Sequence, residues 1–165
     1  QFPENLTIIP NETFYACNSL DSFTIPSNIT SIGNAAFYEC STLEEITVPE
    51  TVTSIGEAAF GDCVKLKKAV LPNNMNSIPN NLFAGCLILD DVNIPSQVTS
   101  IGSGAFFNCG ELKQISIPNG VNNIGESAFA NCDELENIVI HHIDSFYEIF
   151  QKNFVFVIKN NSLPT

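Results

Sequence analysis

Apolar and polar positions recur every 23 residues along most of this chain. Cys stands at Cys17, Cys40, Cys63, Cys86, Cys109 and Cys132, and Phe at Phe14, Phe37, Phe60, Phe83, Phe106 and Phe129. Leu keeps the same period from Leu20 to Leu135, and Pro from Pro26 to Pro118. One unit carries Leu43, Ile46, Val48, Pro49, Val52, Ile55, Gly56, Ala59, Phe60 and Cys63. From Leu43 to Val48 apolar and polar residues alternate, as in a half-buried strand, and Pro49 ends the run because it cannot donate to a ladder. Strands are therefore expected near 22–25, 45–48, 68–71, 91–94, 114–117 and 137–140. Val52 and Ile55 continue on a second extended or turning side. Ala59, Phe60 and Cys63 suit a short helical turn, with Asn34, Asn80 and Ser103 as N-caps and Glu57 and Glu126 near the positive helix end.

A unit this short cannot bury its apolar side alone, so successive units must stack and bury it against each other. The expected fold is an α/β solenoid: a right-handed coil of about seven 23-residue repeats with one parallel sheet. At a strand spacing of about 4.8 Å this gives a rod roughly 30–35 Å long. Phe2, Pro3, Leu6 and Ile9 align with Ile25, Pro26, Ile29 and Ile32, so the chain enters in mid-repeat. The solenoid is expected over 1–140 and a C-terminal capping segment over 141–165. There His141 replaces the expected Pro, Ser145 and Glu148 have capping-box spacing, Phe146, Ile149 and Phe150 share a helical face, and Val155 to Ile158 reads as a strand. At Gly33, Gly56, Gly102 and Gly125 a negative φ is expected, because Pro10 and Pro79 occupy the same repeat position and proline fixes φ near −65°.

The unit resembles the BspA-like (Treponema-type) leucine-rich repeats, as in Ile25 to Gly33 and Ala36 to Cys40. The likeness covers roughly residues 1–140, with departures at Pro10, Pro79 and Met75. It implies a leucine-rich-repeat coil of a kind found on surfaces of mucosal bacteria and parasitic protists, where members are associated with adhesion to host proteins and other cells.

Charge narrows the partners. The 165 residues carry a net charge of −12, with six basic residues, all Lys. Nucleic-acid recognition needs a basic face and favours Arg, so neither nucleic acid nor an anionic membrane is an expected partner. No apolar run reaches the ~18–20 residues of a membrane helix, and Gln1, Phe2 and Pro3 do not read as a leader. The six Cys read as a ladder of buried free thiols, because equivalent positions point their Cβ atoms the same way whereas a disulfide needs them to converge. None lies at zinc-ligand spacing. His141 and His142, the two histidines, are adjacent and on a strand would point to opposite faces. There is no phosphate loop and no nucleophile elbow, and the carboxylates sit at repeat-surface positions. Catalytic, metal and cofactor residues are therefore all read as none, and the chain as not an enzyme. Four glycosylation sequons, at Asn5, Asn11, Asn28 and Asn160, are close to what random placement gives.

The exposed positions of the long strands remain. Glu44, Glu45, Thr47, Lys67, Lys68, Val70, Asp90, Asp91, Asn93, Lys113, Gln114 and Ser116 should form one continuous face and are read as partner-binding. A rival lies on the opposite edge, where Tyr15, Tyr38 and Phe107 follow the buried Phe. The expected function is a protein–protein interaction module, extracellular or on a cell surface, whose ligand is a host or cell-surface protein. The alternative is an intracellular (cytoplasmic) structural scaffold within a larger assembly.

Overall fold

The structure is a computed structural model that describes residues 5–140. The chain winds as a parallel β-solenoid of about six turns with 23 residues per turn. Its short strands lie on two sides of the coil. One side carries β1 (Ile8–Ile9), β2 (Ser31–Ile32), β4 (Ser54–Ile55), β6 (Ser77–Ile78), β8 (Ser100–Ile101) and β10 (Asn123–Ile124). The other carries β3 (Glu45–Thr47), β5 (Lys68–Val70), β7 (Asp91–Val92), β9 (Gln114–Ile117) and β11 (Asn137–Ile140). Every pairing is parallel and in register by one repeat, as in Ile46↔Ala69 and Ile32↔Ile55. The expected single sheet is thus replaced by two rows of strands, broken into four pieces: β1-β2-β4, β6-β8-β10, β3-β5-β7 and β9-β11. The expected C-terminal cap, with His141 and His142, lies outside the described residues.

The core is a set of identical layers. Phe37, Phe60, Phe83 and Phe106 are fully buried, and Phe129 nearly so. Their rings stack from coil to coil with centroids 5.2–5.8 Å apart. The Cys ladder runs beside them. Each thiol from Cys40 to Cys132 follows one rule, donating to the carbonyl of the Phe 26 residues earlier: Cys40 Sγ to Phe14 at 3.2 Å, Cys63 Sγ to Phe37 at 3.1 Å, Cys86 Sγ to Phe60 at 3.1 Å, Cys109 Sγ to Phe83 at 3.3 Å and Cys132 Sγ to Phe106 at 3.1 Å. All six Cys are free, and only Cys17, in the first described coil, is partly exposed. Burial pushes the Cys86 and Cys109 thiols up, and that of Cys132 to about 11, which suppresses the reactive thiolate. Thiol titration of the denatured, unreduced protein is expected to count six. In the native protein Cys17 should react well ahead of the rest, and a denatured count of two or fewer would contradict the ladder.

No helix forms among the described residues, which corrects the expected helical turn and the α part of the fold. The reason lies in the backbone. Phe37 N donates to Ala59 O of the next coil at 2.8 Å and Glu39 N to Gly61 O at 2.9 Å, whereas Tyr38 N and Cys40 N turn back to Ala35 O and Phe37 O. Alternate donors are thus committed to the neighbouring coil, and a helix needs all of them. Two columns of positive φ enforce this, one through Glu12, Ala35, Ala58, Asn81, Gly104 and Ser127, the other through Ala16, Glu39, Asp62, Gly85, Asn108 and Asn131. Left-handed backbone costs a non-glycine residue about 1–2 kcal/mol, and the inter-coil bonds and buried Phe on either side offset it. Ala58→Gly, at φ 52°, is therefore expected to raise unfolding stability by about 0.5–1 kcal/mol once the extra backbone freedom of the unfolded chain is counted. Urea denaturation measures this, and a loss above about 0.5 kcal/mol would mean that the conformation carries no strain.

The expected N-caps serve a different bond. Asn34 Oδ1 accepts from Glu57 N at 2.9 Å and Asn80 Oδ1 from Ser103 N at 2.9 Å, one coil along. The same residues explain the glycines. Gly33, Gly56, Gly102 and Gly125 lack positive φ, as expected. At Gly102 an added Cβ would lie 2.5 Å from Asn80 N and 2.7 Å from both Asn80 Oδ1 and Pro79 C, so the position requires a missing side chain.

Candidate functional site

The row of longer strands brings most of the sequence-predicted face together. Glu45, Lys68 and Asp91 are consecutive partners across β3, β5 and β7, and Thr47 pairs with Val70. Glu44, Lys67 and Asp90 flank them, with Lys67 N donating to Glu44 O at 2.8 Å and Asp90 N to Lys67 O at 3.1 Å. Alternation along each strand turns Ile46, Ala69 and Ile115 into the core and leaves the predicted residues outside. Val70 is partly buried, Lys68 keeps its side chain largely in solvent, and the other ten are exposed. Sequence reasoning therefore placed all twelve on the outer side of the coil.

The structure joins them less evenly than a uniform ladder would. The Lys68 ammonium pairs with the Asp91 carboxylate at 2.9 Å, and that hydrogen bond, with the attraction of Asp91 and then Glu45, holds the Lys68 pKa above its usual value. Both side chains are well exposed, so water and salt screen the pair and its use is in orientation. The row is interrupted between β7 and β9. On the β7 side, Asn93 Oδ1 accepts from Leu71 N at 3.0 Å and Asn93 Nδ2 donates to Leu71 O at 3.4 Å. The Asn93 amide thus does backbone work, and a ligand would have to compete for it. Lys113, Gln114 and Ser116 lie beyond the interruption, where Gln114 pairs with Asn137 and Ser116 with Val139. The face is therefore two patches. The larger carries Glu44, Glu45, Lys67, Lys68, Asp90 and Asp91.

The rival edge has a different character. Tyr15 and Tyr38 stack with centroids 5.4 Å apart, and Tyr15 is 48% exposed and Phe107 38%. The Tyr38 hydroxyl donates to the Asp62 carboxylate of the next coil. That bond, with burial and the Asp62 charge, pushes its pKa up to about 12. Tyr38 is therefore engaged within the fold, which leaves Tyr15 and Phe107 as separate exposed rings. Sequence reasoning missed Leu87 and Ile88, 42% and 41% exposed. Ile88 breaks the polar habit of its column, which otherwise reads Ser19, Thr42, Lys65, Glu111 and Glu134, whereas the Leu87 column already holds Val64 beside Asn18, Ser41, Gly110 and Asp133; the departure at Ile88 is the available signal.

A shallow groove of about 500 Å³ crosses the other row of strands, lined by Ser54, Ser77, Ser100, Asn34, Asn80 and Glu57 among others. Among the described residues no group of His, Cys, Asp or Glu is arranged to hold a metal ion, and no helix is long and apolar enough to cross a membrane.

Comparison with known proteins gives a consistent likeness. The profile of the BspA type leucine rich repeat region, in six copies, matches residues 1–98 and 76–163. A leucine rich cell surface protein from Faecalibacterium prausnitzii shares 36% identity and superposes with a TM-score of 0.73, over 78% of this chain and 34% of that one. A leucine-rich repeat protein from Bacteroides ovatus shares 35% identity at a TM-score of 0.65, over 84% and 35%. The leucine rich repeat protein of T. pallidum shares 34% identity at a TM-score of 0.79, over 84% and 67%. The chain thus spans about a third of the length of the first two. No curated protein sequence gives a significant match.

Proposed function

The chain belongs to the BspA type leucine-rich-repeat family, and from that premise we propose that it is a non-enzymatic protein-recognition module acting at a cell surface or outside the cell. The observation that carries this reading is the larger patch. Three laddered strands hold Glu45, Lys68 and Asp91 in a row with Glu44, Lys67 and Asp90 beside it. Side chains on a rigid sheet lose little entropy on binding. Interspersed charges give register and selectivity more than raw affinity. Lys113, Gln114 and Ser116 extend the surface beyond the interruption, while Thr47, Val70 and Asn93 line its margin. The ligand in this reading is a host or cell-surface protein with complementary charges, and the surface location is supported by the likeness to the cell surface protein of F. prausnitzii. The reading also includes a right-handed winding, as parallel crossovers adopt, and a capping role for 141–165. The six free thiols favour the second reading, an intracellular scaffold, to the extent that unpaired Cys is common in reducing compartments.

The test measures affinity for a panel of purified extracellular-matrix and cell-surface proteins. For any protein bound, Lys67→Glu with Lys68→Glu is expected to weaken binding at least about tenfold, and Tyr15→Ala with Phe107→Ala to leave it within about twofold. The reverse pattern moves the site to the aromatic edge. Binding to no member of the panel would count against surface recognition.

A further inference from the structure

We infer that the boundary between the coil carrying β4 and the coil carrying β6 is a hinge built into the solenoid. At the equivalent place in four other coils a glycine N–H donates to the Ile of the preceding coil: Gly33 to Ile9, Gly56 to Ile32 and Gly102 to Ile78 at 2.8 Å, and Gly125 to Ile101 at 2.7 Å. Pro79 stands there at this boundary, and proline has no N–H to give the Ile55 carbonyl. The loss spreads along the strand. Thr53, Thr99 and Asn122 each donate to the preceding coil at 2.9 Å, and Asn76, their counterpart, makes no such bond to Thr53. β4 and β6 consequently do not pair, and this row of strands divides there. Met75, in the same coil, closes its turn onto Pro72 at 3.4 Å, against 3.0–3.1 Å in its four counterparts. The Phe60–Phe83 stack across the boundary is, at 5.8 Å, the widest in the column.

The rest of the boundary stays joined, and this makes it a hinge instead of a break. β3 and β5 pair across it, and Ala58 N and Phe60 N reach Asn80 O and Leu82 O at 3.0 and 3.1 Å. Two carboxylates flank the open side. Glu50 accepts from Asn73 N at 2.9 Å and Asn73 Nδ2 at 2.8 Å, and Glu57 accepts from Asn80 Nδ2 at 3.0 Å. Both straps are exposed and short, so they can release and re-form at little cost. Opening there pivots on the β3–β5 ladder, and it changes the curvature of the Lys67 and Lys68 face without breaking that ladder.

Amide hydrogen exchange on the full chain, resolved by mass spectrometry, tests the hinge. Amides of 76–78 are expected to exchange at least about tenfold faster than those of 99–101, their counterparts one coil along. Pro79→Gly restores the donor and should slow 76–78 toward 99–101. Glu50→Ala removes a strap and should quicken 76–78 while leaving 99–101 unchanged. Equal protection of 76–78 and 99–101 in the parent chain overturns the hinge, as does a folded Pro79→Gly variant in which 76–78 remain fast. If that variant fails to fold, the parent comparison decides alone.

Discussion

Replacing Phe60 or Phe106 with alanine is expected to cost about 3–5 kcal/mol of unfolding free energy, the largest loss any single truncation in this solenoid should produce. Both rings are completely buried, and each stacks on two others, Phe60 on Phe37 and Phe83, and Phe106 on Phe83 and Phe129. The stack sets the spacing of the coils. The inter-coil hydrogen bonds of the same segments, such as Phe60 N to Leu82 O and Phe106 N to Ala128 O, resist collapse into the space a lost ring would leave. The cavity should therefore stay open, which puts the cost at the upper end for such truncations. Chemical denaturation of each variant measures it, and a loss below about 1 kcal/mol would place the rings outside the core.

Gly102→Ala is expected to be the next most damaging change, at about 2–3 kcal/mol, although it adds a single methyl group. The new carbon would meet main-chain atoms, Asn80 N and Pro79 C, which cannot swing aside as a side-chain tip can. The N–H of Gly102 also holds Ile78 O at 2.8 Å, so relief by backbone movement would spend that bond. Gly110→Ala is the matched control. Its added carbon would lie 3.5 Å from Leu87 O, an ordinary contact, and its stability should be within about 0.5 kcal/mol of the parent. Equal losses at the two positions would show that the glycine column is not set by close approach.

Much of this architecture is legible in the residues, for a physical reason. The outward strands alternate, and β3, β5, β7, β9 and β11 all fall within the ranges that alternation predicts. The glycine column is read correctly from the proline that shares it. The short strands are harder to read. A two-residue Ser–Ile strand has no alternation to detect, so the second row merges with the turns. The spacing of Ala59, Phe60 and Cys63 is helical, yet the segment makes no helix, because periodicity reports which side chains go inward and not where the N–H groups go. A signal was present: Asp62, Gly85, Asn108 and Asn131 form one column, and these are residue types that accept left-handed backbone. Asn34 and Asn80 were recognised as capping residues, but their target is the next coil. For the binding face, sequence located the outer positions. It did not show that Asn93 would satisfy Leu71 or that the row would divide beyond it, because both depend on which coil the side chain of Asn93 reaches.

Site-specific photo-crosslinking tests the central claim, protein recognition through the charged strand face, most directly. A photoreactive amino acid would be placed in turn at Glu45, Gln114, Tyr15 and Phe107, and each variant irradiated with the same panel of extracellular-matrix and cell-surface proteins. The account predicts adducts from Glu45, weaker ones from Gln114, and their loss when Lys67 and Lys68 are also reversed to Glu. Adducts from Tyr15 and Phe107 alone, or none from any of the four positions, would contradict it.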